Sequence, residues 1–213
     1  MLEVREICKS YHEQRALLPV SFQLRPGECL GVAGVNGSGK STLLRLLAQA
    51  QRPDSGSILF QGRPVLGDRE FLRRHLGYVP QDNELAEELT AGQQLALWLA
   101  ACGCRHGLPE ELAELLGLKP LLPCRLGELS GGMQRRVSIA MALSTGADVL
   151  IMDEATTGLD EGYREALLTW MEAFLKRGGC AVWCSHQREE LERICGRCIH
   201  MRKGQAYWGL PAE

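Results

Sequence analysis

Apolar positions along the chain change period several times, and those changes outline its elements. Two stretches near the start, L-E-V-R-E-I-C and L-L-P-V-S-F-Q-L, have the apolar spacing of short strands around a turn. Pro26-Gly27-Glu28 marks a further turn, and C-L-G-V-A-G-V (29–35) follows as a continuous apolar run, the pattern of a buried strand. From Lys40 the run K-S-T-L-L-R-L-L-A-Q-A takes helical spacing until Arg52-Pro53-Asp54-Ser55-Gly56 stops it. S-I-L-F reads as a strand before a turn at Gln61-Gly62, residues 68–76 as a helix, and H-L-G-Y-V-P as another strand. Residues 83–145 differ: they are rich in Leu, Ala and Glu, offer helix starts at Thr90, Pro109 and Ser130, and contain no good strand. Beyond them A-D-V-L-I-M, C-A-V-W-C and C-I-H-M alternate with helices predicted at 161–176 and 187–195. Strand–helix alternation at both ends predicts an α/β fold with a mostly parallel sheet flanked by helices. The middle block predicts an inserted helical subdomain.

Composition narrows the functional classes. The 213 residues are 45% apolar and 23% charged, ordinary for a soluble globular protein, and are enough to bury a sizeable core. A formal net charge of −2 gives no electrostatic case for a nucleic-acid partner. The longest apolar stretch, Leu95 to Cys102, falls far short of the roughly 20 residues that span a bilayer. M-L-E-V-R-E-I lacks the pattern of a signal peptide, so the expectation is a cytoplasmic chain that reaches a membrane only through another protein. Of the nine cysteines, Cys195 and Cys198 have metal-type spacing, but no second C-x-x-C completes a zinc set. The expectation is reduced, structural thiols.

Gly34-Val-Asn-Gly-Ser-Gly-Lys-Ser41 matches G-x-x-x-x-G-K-[ST], with a strand before it and a helix after. Such a loop turns backbone N–H groups, here of Asn36, Gly37, Ser38 and Gly39, toward phosphates, and the helix start through Thr42 adds its dipole. Lys40 is expected to reach the β- and γ-phosphates and Ser41 to ligate Mg²⁺. V-L-I-M-D-E (149–154) supplies a buried strand ending in two carboxylates. Alternation along a strand predicts that Asp153 and Glu154 point to different sides. Asp153 suits the Mg²⁺ shell, and Glu154 suits orienting or deprotonating the attacking water.

A second glycine-rich helix start, L-S-G-G-M-Q-R-R (129–136), stands about twenty residues before the acidic strand V-L-I-M-D-E (149–154). The two glycine motifs and the acidic strand, in this order, resemble the ATP-binding subunit of an ABC transporter across essentially the whole chain. The resemblance implies a P-loop NTPase with an N-terminal antiparallel β part, its core in 1–82 and 146–213, and a helical subdomain in 83–145 that carries the signature motif. It implies ATP and Mg²⁺ as ligands, with Ser130, Gly131 and Gly132 serving a nucleotide held by a second subunit. Tyr11 lies where the family stacks an aromatic on adenine, and Gln81 where its Q-loop senses Mg²⁺ and water. Asp160 matches the D-loop and is also a candidate helix N-cap, while His186 matches the switch histidine at the γ-phosphate. Met133, Ala155 and Gly158 depart from common family residues without removing a catalytic group. Leu89-Thr-Ala-Gly-Gln93 imitates a signature sequence but lies too near Gln81, so Thr90 is expected to be only an N-cap. The implied partners are a second copy or a paired ABC ATPase subunit and a separate transmembrane permease. The implied activity is ATP hydrolysis coupled to solute transport, with the compact form pointing to export. A non-transport ABC ATPase and an ATP-dependent regulator of a membrane protein remain alternatives.

Overall fold

The computed structural model describes residues 1–12, 14–104 and 106–209. Strands β1 (Leu2–Tyr11) and β2 (Gln14–Leu24) pair antiparallel and lead to β3 (Cys29–Gly34), which feeds the glycine loop and α1 (Lys40–Leu47). Then come β4 (Ser55–Phe60), β5 (Arg63–Pro64), α2 (Arg69–His75) and β6 (Leu76–Val79). The predicted insert holds α3 (Ala91–Cys102), α4 (Glu110–Leu115) and α5 (Gly131–Leu143), whose N-caps are Thr90, Pro109 and Ser130 as the sequence predicts. The chain returns to β7 (Val149–Asp153), α6 (Glu161–Lys176), β8 (Cys180–Cys184), α7 (Arg188–Ile194), β9 (Arg197–Arg202) and β10 (Gln205–Gly209).

Two sheets result. One has the order β2-β1-β4-β5 and is antiparallel; the other has the order β10-β9-β3-β8-β7-β6 and is parallel except at β10. The central parallel strands β7 and β8 are buried on both faces, which explains their apolar runs. Val149 and Ile151 of β7, with Val182 of β8, join the cluster that holds α1 and the antiparallel sheet. Leu150 and Met152, with Ala181 and Trp183, join the cluster that holds α5 and α6. α1 is thus sandwiched between two sheets, and the glycine loop at its start is held from both.

The second cluster runs without a break from the helical insert into the main sheet, through Val137, Ile139 and Ala140 of α5. Gly77 of β6 allows that approach, because a Cβ there would sit 2.6 Å from the Ala142 carbonyl oxygen. Trp98 of α3 donates to the Met141 carbonyl at 2.7 Å and pins the insert's first helix to α5.

The structure departs from the sequence-based expectation in three elements. The helix from Lys40 ends at Leu47, three residues early, with Gln49 left-handed at φ 54°. β5 and β10 are additional strands. β10 forms an antiparallel hairpin with β9 through Lys203 and Gly204, whose positive φ values of 50° and 78° suit a tight hairpin turn.

Candidate nucleotide site

The glycine loop follows β3 and wraps a cavity of about 890 Å³, within the range of small-ligand sites. Its lining includes Tyr11, Asn36, Gly37, Gly39, Lys40, Ser41, Thr42, Gln81, Asp153, Glu154 and His186. Five separate segments of the sequence therefore converge. The loop's tightness explains its glycines. Gly39 has φ 108°, and a Cβ on it would lie 2.7 Å from the Ala16 carbonyl oxygen. Gly37 faces open space. Lys40 is buried and folds over the loop, donating to the carbonyls of Gly34 at 2.7 Å and Val35 at 3.2 Å. Gly34 and Ser38 lie behind the lining. Gly34 packs on Met201, and the Ser38 hydroxyl is buried without a hydrogen-bond partner among the described residues.

The carboxylates sit at the end of β7. Asp153 is 1% exposed, and neither of its carboxylate oxygens has a hydrogen-bond partner among the described residues. Burial pushes its carboxyl above the usual range. Beside it in the lining, the Ser41 hydroxyl donates to the Gln81 side-chain oxygen at 3.2 Å. An orphaned carboxylate, a hydroxyl and an amide oxygen form an all-oxygen donor set, which fits Mg²⁺.

Glu154 corrects the sequence-based expectation of opposed directions. It lies one residue beyond β7 with φ 52°, a left-handed backbone that breaks the strand's alternation. Both carboxylates consequently line the same cavity. Burial raises the Glu154 carboxyl, with the charge of His186 acting against the rise. His186 Nε2 stands 3.3 Å from Glu154 Oε1, and the Cys184 thiol donates weakly to the same oxygen at 3.8 Å. Tyr11, 40% exposed at the cavity's edge, donates its hydroxyl to Gln51 at 2.6 Å and keeps its ring accessible.

The second glycine motif is elsewhere. Ser130 caps α5 by accepting from the Met133 N–H at 3.3 Å. With Gly132, Met133, Arg136, Gly158, Leu159, Asp160 and Tyr163 it lines a separate small cavity of about 80 Å³, which shares no lining residue with the first. A Cβ on Gly132 would lie 2.2 Å from the Gly158 carbonyl oxygen, so the signature and the D-loop segment touch through bare backbone. On Gly131 a Cβ would meet nothing within 4 Å. Asp160 occupies the N-cap position of α6, but its side chain makes no capping hydrogen bond, so the expected cap is positional only. Thr90 behaves as expected for the false signature: its hydroxyl and the Gln93 side chain form a reciprocal capping box.

Residues 17–157, about two thirds of the chain, match the family described as ABC transporter. This chain belongs to the ABC transporter family. It is an ATP-binding subunit carrying that family's ATPase domain. It is 37% identical over 209 residues to the Nod factor export ATP-binding protein I of Paraburkholderia xenovorans (strain LB400), covering 96% of this chain and 68% of that protein. A solved ATP binding subunit of an ABC transporter superposes with a TM-score of 0.90 at 29% identity, over 99% of this chain and 90% of its own. A dimeric ATP-binding cassette in a post-hydrolysis state, bound to ADP and Pi, shares the fold with a TM-score of 0.88 at 23% identity, over 99% of both chains.

Several residues of this ABC ATPase escape sequence reasoning. Arg15 and Ala16 of β2, with Lys203 and Gly204 of the β9–β10 hairpin turn, complete the cavity lining. Gly204 accepts from the Leu18 N–H and donates to the Ser38 carbonyl, both at 2.8 Å, so this turn braces the glycine loop. Lys203-Gly204 is a legible turn signal, but the strand after it is too short to announce itself. Glu190, 1% exposed, accepts from Thr156 at 3.0 Å and Trp183 at 3.2 Å, joining the segment after Glu154 to the one after His186. No periodicity marks it, since Glu190 sits among other charged residues of α7.

Proposed function

We propose that this ABC ATPase powers solute export through a separate transmembrane permease, and that two copies or two paired subunits close head to tail around ATP. The separation of the two glycine motifs into different cavities of one chain supports this most directly. The glycine loop, Asp153 and Glu154 form half a site. Ser130, Gly131 and Gly132, at a helix start whose N–H groups and dipole favour an anion, form the complement for a nucleotide on the partner. The open side of Gly131 leaves room for a phosphate to approach. Export is the function named for the relatives of this chain, and a permease follows from that role. No helix among the described residues is long and apolar enough to cross a membrane. In this reading the subunit works peripherally, at the cytoplasmic face, held by its permease partner.

Within each site the Tyr11 ring stacks on adenine, and the loop N–H groups and Lys40 hold the phosphates. Asp153, Ser41 and Gln81 would hold Mg²⁺, which when bound supplies charge neutralisation at the phosphates. Glu154 accepts a proton from water as the water oxygen bonds to the γ-phosphorus and the bond to the β–γ bridging oxygen breaks, leaving ADP and phosphate. A carboxyl raised by burial is better matched to that task than an exposed one. His186 beside it orients the γ-phosphate. Loss of phosphate charge then lets the pair open, and the Gln81 region and helical insert pass the movement to the permease.

Ser130→Arg tests the composite site. Equilibrium binding of ATP to the monomer should stay within about threefold, while the ATP-induced dimer disappears and hydrolysis falls to background. Dimerisation of this variant at the wild-type ATP concentration would refute the head-to-tail arrangement. Co-purification with a multi-span membrane protein that stimulates hydrolysis tests the permease.

A further inference from the structure

Arg135 is 2% exposed, yet its guanidinium finds its hydrogen-bond partners almost entirely on the backbone of the site's own motifs. Nη2 donates to the carbonyls of Asp153 and Glu154, both at 2.6 Å, and Nε donates to the carbonyl of Ala155 at 3.1 Å. Nη1 donates to the carbonyls of Pro80 and of Gln81, the latter at 3.2 Å, and to the Asn83 side-chain oxygen at 3.4 Å. Asn83 in turn donates to the Gly131 carbonyl at 3.2 Å. One side chain of the signature helix thus grips the segment carrying the carboxylates and the segment carrying Gln81, and Asn83 ties the same cluster to the signature glycine.

This arrangement has a specific consequence at Glu154. Its left-handed backbone is what aims its carboxylate into the cavity, and a non-glycine residue holds that conformation only where its surroundings fix it. The Glu154 N–H donates to the Cys184 carbonyl at 3.0 Å, and its carbonyl accepts from Thr157 N–H at 3.0 Å and from Arg135. Arg135 is the only one of these three partners that belongs to the helical insert. A planar guanidinium with five donors can serve several carbonyls at once; an ammonium of similar charge cannot match that fork.

We propose that Arg135 is a positioning residue that locks the Glu154 and Gln81 segments to the signature helix, so that docking of α5 sets the hydrolytic carboxylate in place. The inference rests on the role of Glu154 proposed above. It also predicts crosstalk, because the helix that meets one nucleotide holds the carboxylate that acts on the other.

The test compares Arg135→Lys, Arg135→Gln and Glu154→Gln, each checked for folding by circular dichroism. Both Arg135 variants should lower kcat at least tenfold, leave KM and the binding of a non-hydrolysable ATP analogue within about threefold, and reduce the cooperativity of hydrolysis with ATP concentration. A kcat within threefold of wild type would overturn the inference. A parallel loss of nucleotide binding and kcat would also overturn it, by showing a general structural role. If neither Arg135 variant folds, Asn83→Ala should give the same split at about threefold in kcat; an unchanged kcat there would overturn the proposal. Undiminished hydrolysis by Glu154→Gln would instead remove the role of Glu154 itself, which keeps the two failures distinct.

Discussion

At the scale of single residues, burial divides the nine cysteines and the polar groups of the site in different ways. Cys29, Cys180, Cys184, Cys195 and Cys198 are buried, whereas Cys8, Cys102, Cys104 and Cys124 are partly accessible. Burial pushes the Cys180 thiol up to about 11 and Cys198 to about 12, and it also raises Cys184. At pH 8 a group with a pKa near 11 is about one part in a thousand thiolate, the reactive form. A thiol-reactive dye at pH 8 should therefore label only the four partly accessible cysteines at first, and the five buried ones on unfolding. Fast labelling of Cys180 or Cys184 in the native protein would contradict the packing. The sequence gives good grounds for inert structural thiols, since strand placement and spacing are local properties. It cannot display the backbone angle of Glu154. Alternation puts that carboxylate on the wrong side, and one left-handed residue, braced by contacts from Arg135, Cys184 and Thr157, returns it to the cavity.

At the scale of elements, local signals are read with high fidelity where they are chemical and poorly where they are geometric. Ser130 and Thr90 mark helix starts because their hydroxyls accept from backbone N–H groups three residues on, and Pro109 marks a third because its ring fixes φ near the helical value. β10 is invisible because an edge strand of five residues, all of them partly or fully exposed, carries no distinctive apolar pattern. Thr90 allows an element-scale test of the false signature. Thr90→Ala removes a capping box and should destabilise the protein by about 1 kcal/mol, lowering Tm by roughly 2–4 °C in a domain of this size. Hydrolysis at a temperature where the variant is folded should be unchanged. A large loss of hydrolysis at an unchanged Tm would assign Thr90 to the nucleotide instead.

At the scale of the whole molecule, the parallel sheet gathers distant segments at one edge of its strands. β3, β7 and β8 run side by side, so the glycine loop, Asp153-Glu154 and His186 all emerge at the same end of the sheet. Topology of this kind is legible in the strand–helix alternation and in the order of the motifs, which together predict the converging site before any contact is known. The bracing of the glycine loop by the β9–β10 turn and the grip of Arg135 on two segments are tertiary facts with no local signature. In the proposed head-to-tail pair, the separate location of Ser130 and its glycines leaves each chain with half of each site, and this makes dimerisation the central claim. Mass measurement by light scattering during gel filtration tests it on Glu154→Gln, which should retain ATP without cleaving it. With ATP and Mg²⁺ the variant should elute at about twice its 23.5 kDa chain mass, and with ADP at the single-chain mass. A nucleotide-loaded species that stays at 23.5 kDa in ATP would contradict the shared site.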